Sequence, residues 1–176
     1  MILRNHAGDV IRSLDDWRLH APPKRDIQWQ EGRSAWELAR AWCHGEAPAI
    51  PSEIGELLES LDLTKALQVE VAIAECPIRF DAHAGKPRNA DLALVGAAQG
   101  GRVAVTIEAK ADEPFGELVG DVMSDAIERG VENHRSNGVR RIDDLARALF
   151  TARSGRQARV TDLRYQLLTA AAATVA

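Results

Sequence analysis

Residues 89–110 bring together side chains that could do chemistry. Their sequence, NADLALVGAAQGGRVAVTIEAK, predicts two short strands joined by a glycine-rich turn, with Asp91 at the start of the first strand. The triplet Glu108-Ala109-Lys110 ends the apolar second strand. Because side chains alternate between the faces of a strand, Glu108 and Lys110 share a face, and pairing of the two strands brings Asp91 to the same place. Two carboxylates and a lysine are the groups that can hold a divalent metal beside a phosphodiester.

Helices are predicted on both sides of this hairpin. Ser34 is expected to cap a helix, since Glu37 follows at capping-box spacing, and a second short helix begins at Pro51–Ser52. Residues 1–33 are polar and read as irregular. After the hairpin, apolar stripes at helical spacing predict helices at 116–130, over 142–149 and from about residue 162.

The segment from Thr64 to Glu75 fits two patterns. Its apolar residues match one face of a helix, and they also match the alternation of a strand. Helix is preferred, because the run is long and Cys76-Pro77 offers a stop. Glu75 then lies at the end of that helix, residues 77–81 form a strand, and 83–88 form a loop.

The order of elements predicts an α+β or α/β-like protein with a small central sheet of three to four strands flanked by helices. With 176 residues, one domain over 1–176 is the simplest organisation: a core at 64–130, with helical extensions at 34–61 and 140–175. The two cysteines lack a CxxC spacing, and no apolar run approaches membrane-spanning length. We therefore expect a cytoplasmic protein that does not engage a membrane.

Other catalytic motifs lack support. The chain contains no GxSxG, Walker A or GxGxxG sequence, and its five histidines show no HExxH spacing. Cys43-His44 could suggest a nucleophile and its base, but adjacent residues on a helix point apart. The hairpin is therefore the leading candidate site.

The acidic residues and the lysine resemble the motif of the PD-(D/E)xK, or restriction-endonuclease-like, nuclease superfamily. That core runs helix, strand, strand, strand, helix, with Asp on the second strand, Glu-x-Lys on the third and often Glu on the first helix. Glu75, Asp91, Glu108 and Lys110 follow this order over residues 64–130. The stretches RSAWELARAW, IEAKADEPFGE and RYQLL also look like a bacterial family of unknown function assigned to the same superfamily.

The resemblance implies a role for each matching residue. Asp91 and Glu108 are expected to bind Mg²⁺ or Mn²⁺, and Glu75 to hold a second metal or a metal-bound water. Lys110 is expected to orient the attacking water and to stabilise charge on phosphorus. Through the resemblance alone, Arg164 and Gln166 are expected to contact phosphate or water. The chain departs from the pattern in three respects. Ala90 stands before Asp91 where Pro is usual, no fourth strand is evident after 116–130, and Tyr165 and Gln166 are adjacent and reversed where some relatives carry a Gln-x-x-x-Tyr helix.

Two interpretations stay open at this stage. The chain could be a metal-dependent nuclease acting on DNA or RNA, or a non-catalytic interaction or nucleic-acid-binding module whose acid-lysine cluster is structural. The segment 135–164 has eight arginines against three aspartates, which suits either a solvated helical surface or a flank that faces phosphate. The resemblance also allows a homodimer.

Overall fold

The computed structural model describes residues 1–83, 86–150 and 159–175, and it contains a four-stranded mixed sheet in the order β1-β2-β3-β4. The strands are β1 (Ile2–Asn5), β2 (Gln68–Ile78), β3 (Arg88–Ala98) and β4 (Gly101–Ile107). The α-helices of the described ranges are α1 (Leu14–His20), α2 (Ser34–Trp42), α3 (Ser52–Ser60), α4 (Val119–Glu132), α5 (Gly138–Leu149) and α6 (Tyr165–Val175). Short 3₁₀ helices occupy Asp26–Gln28 and Val160–Asp162. The predicted α+β class with a small sheet is confirmed. Within the described ranges, no helix combines the length and the apolar character needed to cross a membrane.

The chain forms two compact units. The first comprises residues 1–77 and 89–112 and contains the four strands with α1 to α3, apart from the last residue of β2 and the first of β3. The second comprises residues 78–88 and 113–176 and contains α4 to α6. The single domain over residues 1–176 that the sequence suggests stays a prediction.

The core of the first unit lies between the sheet and its three helices. Buried side chains from three strands and three helices pack together: Leu3, Ala72, Leu92 and Leu94 from the strands, and Trp17, Ala39, Trp42 and Leu58 from the helices. Val105 and Ile107 of β4 add partly buried side chains to it. Burial of this apolar area is the main stabilising contribution, at about 25 cal/mol per Å² removed from water. One face of the sheet is thereby buried against helices α1 to α3.

The helix predicted over Thr64–Glu75 is wrong, because β2 occupies Gln68–Ile78. β2 lies inside the sheet, between β1 and β3, and such strands carry apolar residues on both faces, which obscures their alternation. Pro77 does not end the element as expected. β1 pairs with β2 only as far as Ala74, so a residue without an N–H is tolerated further along.

The N-terminal region is also more ordered than its polar sequence suggested. β1 pairs in parallel with β2, with Ile2 opposite Val71 and Asn5 opposite Ala74. Asn5 is buried, and its amide donates to Asp9 and to the carbonyl of His20, which fixes the turn that follows the strand. β1 is therefore a strand of the sheet that the sequence pattern did not indicate.

The predicted hairpin is confirmed. β3 and β4 are antiparallel, with Leu92 opposite Ile107 and Ala98 opposite Gly101, so a two-residue turn joins them. Gly101 has a φ of +119°, a conformation open to glycine, whereas Gly96 lies inside β3 and not in the turn. Contacts of Gly96 with Gln68, and of Asn89 with Glu75, show that β2 and β3 also run antiparallel.

In the second unit, helices α4, α5 and α6 share an apolar core that includes Ala126, Ile142 and Leu168. Arg141 on α5 pairs with Asp81 at 2.5 Å and lies 5.0 Å from the centroid of the Phe80 ring. The three C-terminal helices were predicted, although α5 begins at Gly138, earlier than its apolar stripe indicated. The loop predicted over 83–88 includes residues 84 and 85, which lie outside the described residues.

The close approach of β2 to β3 at Gly96 yields a first prediction. A Cβ at Gly96 would lie 2.2 Å from the carbonyl oxygen of Gln68, which is backbone and cannot rotate away. Gly96→Ala should therefore lower the free energy of unfolding by about 1–3 kcal/mol in urea denaturation. Gly100→Ala is the matched control, because nothing lies within 4 Å of its added Cβ. Equal stability of the two variants would contradict the packing described for β2 and β3.

Candidate functional site

Asp91 organises the end of the β3–β4 hairpin. It is the fourth residue of β3, one position before Leu92, whose partner is Ile107 at the end of β4. Asp91 is therefore opposite Glu108, and its Oδ2 accepts a 2.8 Å hydrogen bond from the Ala109 N–H. This bond holds the first residues after β4 against β3, beyond the point where the ladder ends.

Glu108 and Lys110 form an ion pair on that segment. Lys110 Nζ lies 3.4 Å from Glu108 Oε1, and the two side chains are 15% and 10% exposed. An ion pair shielded to this degree is screened less by solvent than one on an open surface. The shared face predicted for the two side chains agrees with this contact.

Glu75 lies inside β2 and not at a helix end as the sequence suggested. Its backbone is left-handed, with a φ of +49°. Burial raises the pKa of Glu75, the Asp91 carboxylate raises it further, and Glu108 adds a smaller effect of the same sign. A hydrogen bond from Asn89 and the charge of Lys24 act in the opposite direction. Glu75 therefore lies within electrostatic reach of both other carboxylates.

Glu75, Asp91, Glu108 and Lys110 thus lie near one end of the central strands. Carboxylate oxygens are the ligands that Mg²⁺ and Mn²⁺ prefer, and their mutual repulsion is what a cation would relieve. In the ranges that the structure covers, no three histidine, cysteine, aspartate or glutamate side chains are already arranged to hold a metal ion. The carboxylates are instead held by the Ala109 N–H, Lys110 and Asn89.

The start of α2 supports the segment that follows the triplet. Ser34 Oγ accepts a 3.1 Å hydrogen bond from the Ala111 N–H, and Arg33 pairs with Asp112. The predicted N-cap at Ser34 is wrong by one residue, since Arg33 occupies that position and Glu37 accepts from the Gly32 N–H. The serine hydroxyl thereby holds residue 111, while Arg33 holds residue 112.

Sequence reasoning missed Asn89, whose Nδ2 donates to Glu75 Oε2. A signal was available, because Asn89 stands two residues before Asp91, and residues at that spacing share a face of a strand. The position of Glu75 on β2 was needed to give the asparagine a partner. The contact between Asn89 and Glu75 can therefore be inferred only when Glu75 is placed in β2.

Arg164 and Gln166 lie in the second unit. Arg164 Nη1 donates a 2.9 Å hydrogen bond to the carbonyl of Gly116, and Gln166 also packs near Gly116. Contact of either residue with phosphate or water stays a prediction. In the arginine-rich segment, Arg141 pairs with Asp81 and Arg147 with Asp143, while residues 151–158, including two of the eight arginines, lie outside the described residues.

The cysteine alternative is not supported by the environment of its thiol. Burial raises the pKa of Cys43 to about 11, and the nearby Asp16 carboxylate adds to the effect. The side chain is therefore a neutral thiol at physiological pH, whereas a cysteine nucleophile reacts as the thiolate. His44 does not correct this, since its Nδ1 contacts the carbonyl of Ala41.

Comparison with known proteins identifies a family without a described activity. The family model described as Domain of unknown function (DUF6946) matches residues 10–176. No curated protein matches the chain, and no solved structure matches it. The resemblance to PD-(D/E)xK nucleases therefore stays a prediction.

The raised pKa of Glu75 predicts how the stability of the fold depends on pH. When the pKa of a glutamate is higher in the folded than in the unfolded state, its protonated side chain stabilises the fold at pH values below the unfolded pKa, near 4.5. This stabilisation is lost as the pH rises through the folded pKa. Glu75→Gln removes that loss. In EDTA, the variant should gain stability relative to wild type between pH 4 and pH 7, measured by urea denaturation at each pH. Glu56→Gln, on the exposed surface of α3, is the control, and an equal gain there would contradict the account.

Proposed function

The chain belongs to the DUF6946 family, and we propose that it is a metal-dependent phosphodiesterase that hydrolyses DNA or RNA. The observation that carries the proposal is the convergence of three carboxylates and one lysine: Glu75, Asp91, Glu108 and Lys110. They come from three neighbouring strands, or from residues directly after them, so the sheet determines their spacing. The resemblance of the motif to PD-(D/E)xK nucleases supports the same reaction.

Glu75, Asp91 and Glu108 would hold Mg²⁺ or Mn²⁺. Burial raises the pKa of Glu75 most, and repulsion from Asp91 and Glu108 raises it further. That repulsion supports this assignment, because the same carboxylates would bind a cation favourably. When bound, the ion would polarise a phosphoryl oxygen and make a coordinated water more acidic. Carboxylate ligands, in contrast to thiolates, suit these hard ions.

The protein side chains supply orientation and charge. Asp91 holds the Ala109 N–H, which keeps Glu108 and Lys110 beside β3 while substrate enters. Lys110 orients the attacking water, and its ammonium group stabilises the negative charge that grows on the phosphoryl oxygens. The limited exposure of Lys110 strengthens this effect, since charges interact more strongly where water is partly excluded.

Arg164 and Gln166 are substrate contacts by resemblance alone. A cytoplasmic location is supported by Cys43 and Cys76, both of which are free thiols.

A second candidate function is a non-catalytic interaction module that binds nucleic acid or a second copy of the chain. The observation in its favour is that Lys110 already neutralises Glu108 and that Asp91 already accepts from backbone. Such contacts stabilise the end of a hairpin without any ion. The two functions differ in their response to metal.

A Mg²⁺ or Mn²⁺ titration of thermal stability should separate wild type from Asp91→Asn. At a metal concentration about 100-fold above the Kd, wild type should gain about 2.7 kcal/mol, because the ion binds only the folded state. Asp91→Asn should lose most of this gain, since an amide is a weaker ligand than a carboxylate. Equal melting temperatures of wild type with and without metal would instead support the interaction module.

Cleavage of labelled single- and double-stranded DNA and RNA should separate metal binding from catalysis. Glu108→Ala is expected to lose both the metal-induced stabilisation and the cleavage. Lys110→Ala should keep the stabilisation while its cleavage rate falls at least about 100-fold, because it removes charge stabilisation and not a ligand. Lys65→Ala, an exposed lysine of the same unit, is the control and should cleave like wild type. Equal rates for Lys110→Ala and Lys65→Ala would refute the role of Lys110.

A further inference from the structure

We infer that Asn89 is a positioning residue, which holds the Glu75 carboxylate towards Asp91 and Glu108 and thereby sets the affinity of the site for its cation. The inference rests on the proposed metal-dependent function. It goes beyond the four residues of the motif, because Asn89 has no counterpart in the acid, acid-x-lysine pattern. Three observations lead to it: the backbone of Glu75, the contact with Asn89, and the charges around Glu75.

The first observation is the left-handed backbone of Glu75. A φ of +49° is unfavourable for a residue with a Cβ, and glycine or asparagine adopts it more easily. A left-handed residue inside a strand interrupts the alternation and redirects its side chain, as in a β-bulge. Strained residues of this kind persist where surrounding contacts determine them, and they concentrate at functional sites.

The second observation is the contact that fixes the redirected side chain. Asn89, the second residue of β3, donates from Nδ2 to Glu75 Oε2 across to β2. Asn89 shares its strand face with Asp91, so the amide and the aspartate flank the same region. Asn89 itself is exposed, so this contact is not a by-product of core packing.

The third observation is the repulsion that the contact opposes. Asp91 and Glu108 carry the same negative charge as Glu75 at the same end of the sheet, whereas the Asn89 amide donates a hydrogen bond to Glu75. Without that donor, a glutamate side chain could turn away from its neighbours and into water. The amide thus keeps together carboxylates that repel one another, an arrangement that a cation binding between them would use.

The experiment measures Mn²⁺ affinity by the loss of the free-ion EPR signal, together with the melting temperature in EDTA. Loss of an outer hydrogen bond to a metal ligand commonly weakens binding 10- to 100-fold, which we expect for Asn89→Ala. Asn89→Leu, similar in shape but without a donor, should give the same loss. Both variants should melt within a few degrees of wild type in EDTA, because Asn89 is exposed. Gln99→Ala, which removes an exposed amide from the turn of the same hairpin, should bind Mn²⁺ like wild type.

A double-mutant cycle with Glu75→Gln tests whether Asn89 acts through Glu75. In the Glu75→Gln background, Asn89→Ala should weaken Mn²⁺ binding no further. Equal affinity of wild type and Asn89→Ala would overturn the inference while leaving the metal site intact. An equal loss in both backgrounds would show that Asn89 acts independently of Glu75 and would also overturn it. No Mn²⁺ binding by wild type would overturn the proposed metal site, and the inference with it.

Discussion

The hydrogen bond from the Ala109 N–H to Asp91 is the interaction on which the candidate site depends. The β3–β4 ladder ends at Leu92 and Ile107, so nothing in that ladder holds the next residues in place. Asp91 extends the pairing by one side chain and keeps Glu108 and Lys110 beside the sheet. Ser34, at the start of α2, holds the residues that follow by accepting a hydrogen bond from the Ala111 N–H. A carboxylate that would bind a cation is thus also a structural element.

The site shows a conflict between folding and charge. A stable fold disperses like charges, yet Asp91 and Glu108 lie close enough to Glu75 to add to the rise in its pKa that burial causes. Glu75 adds a left-handed backbone to this electrostatic disadvantage. Natural proteins accept local disadvantages of this kind where a function requires them, and the rest of the structure compensates.

The hairpin and its acidic residues were predictable because strand alternation and glycine placement are local signals. The identity of β2 was not, since an interior strand with alanine on its buried face has the same composition as a helix. β1 was missed because its four residues become a strand only by pairing with β2. Asn89 was missed for the same reason: its partner, Glu75, was assigned to the wrong element. Both β1 and the Asn89–Glu75 contact depend on pairing between residues far apart in sequence, which local patterns do not show.

The parallel pairing of β1 with β2 has a consequence for the order of folding. β3 and β4 are neighbours in sequence and can pair as soon as both exist, whereas Ile2 must find Val71 across three intervening helices. Closing so long a loop is entropically unfavourable and slow, so topologies rich in such contacts fold slowly. We therefore expect the hairpin of β3 and β4 to form early, and the edge strand β1 to join the sheet later.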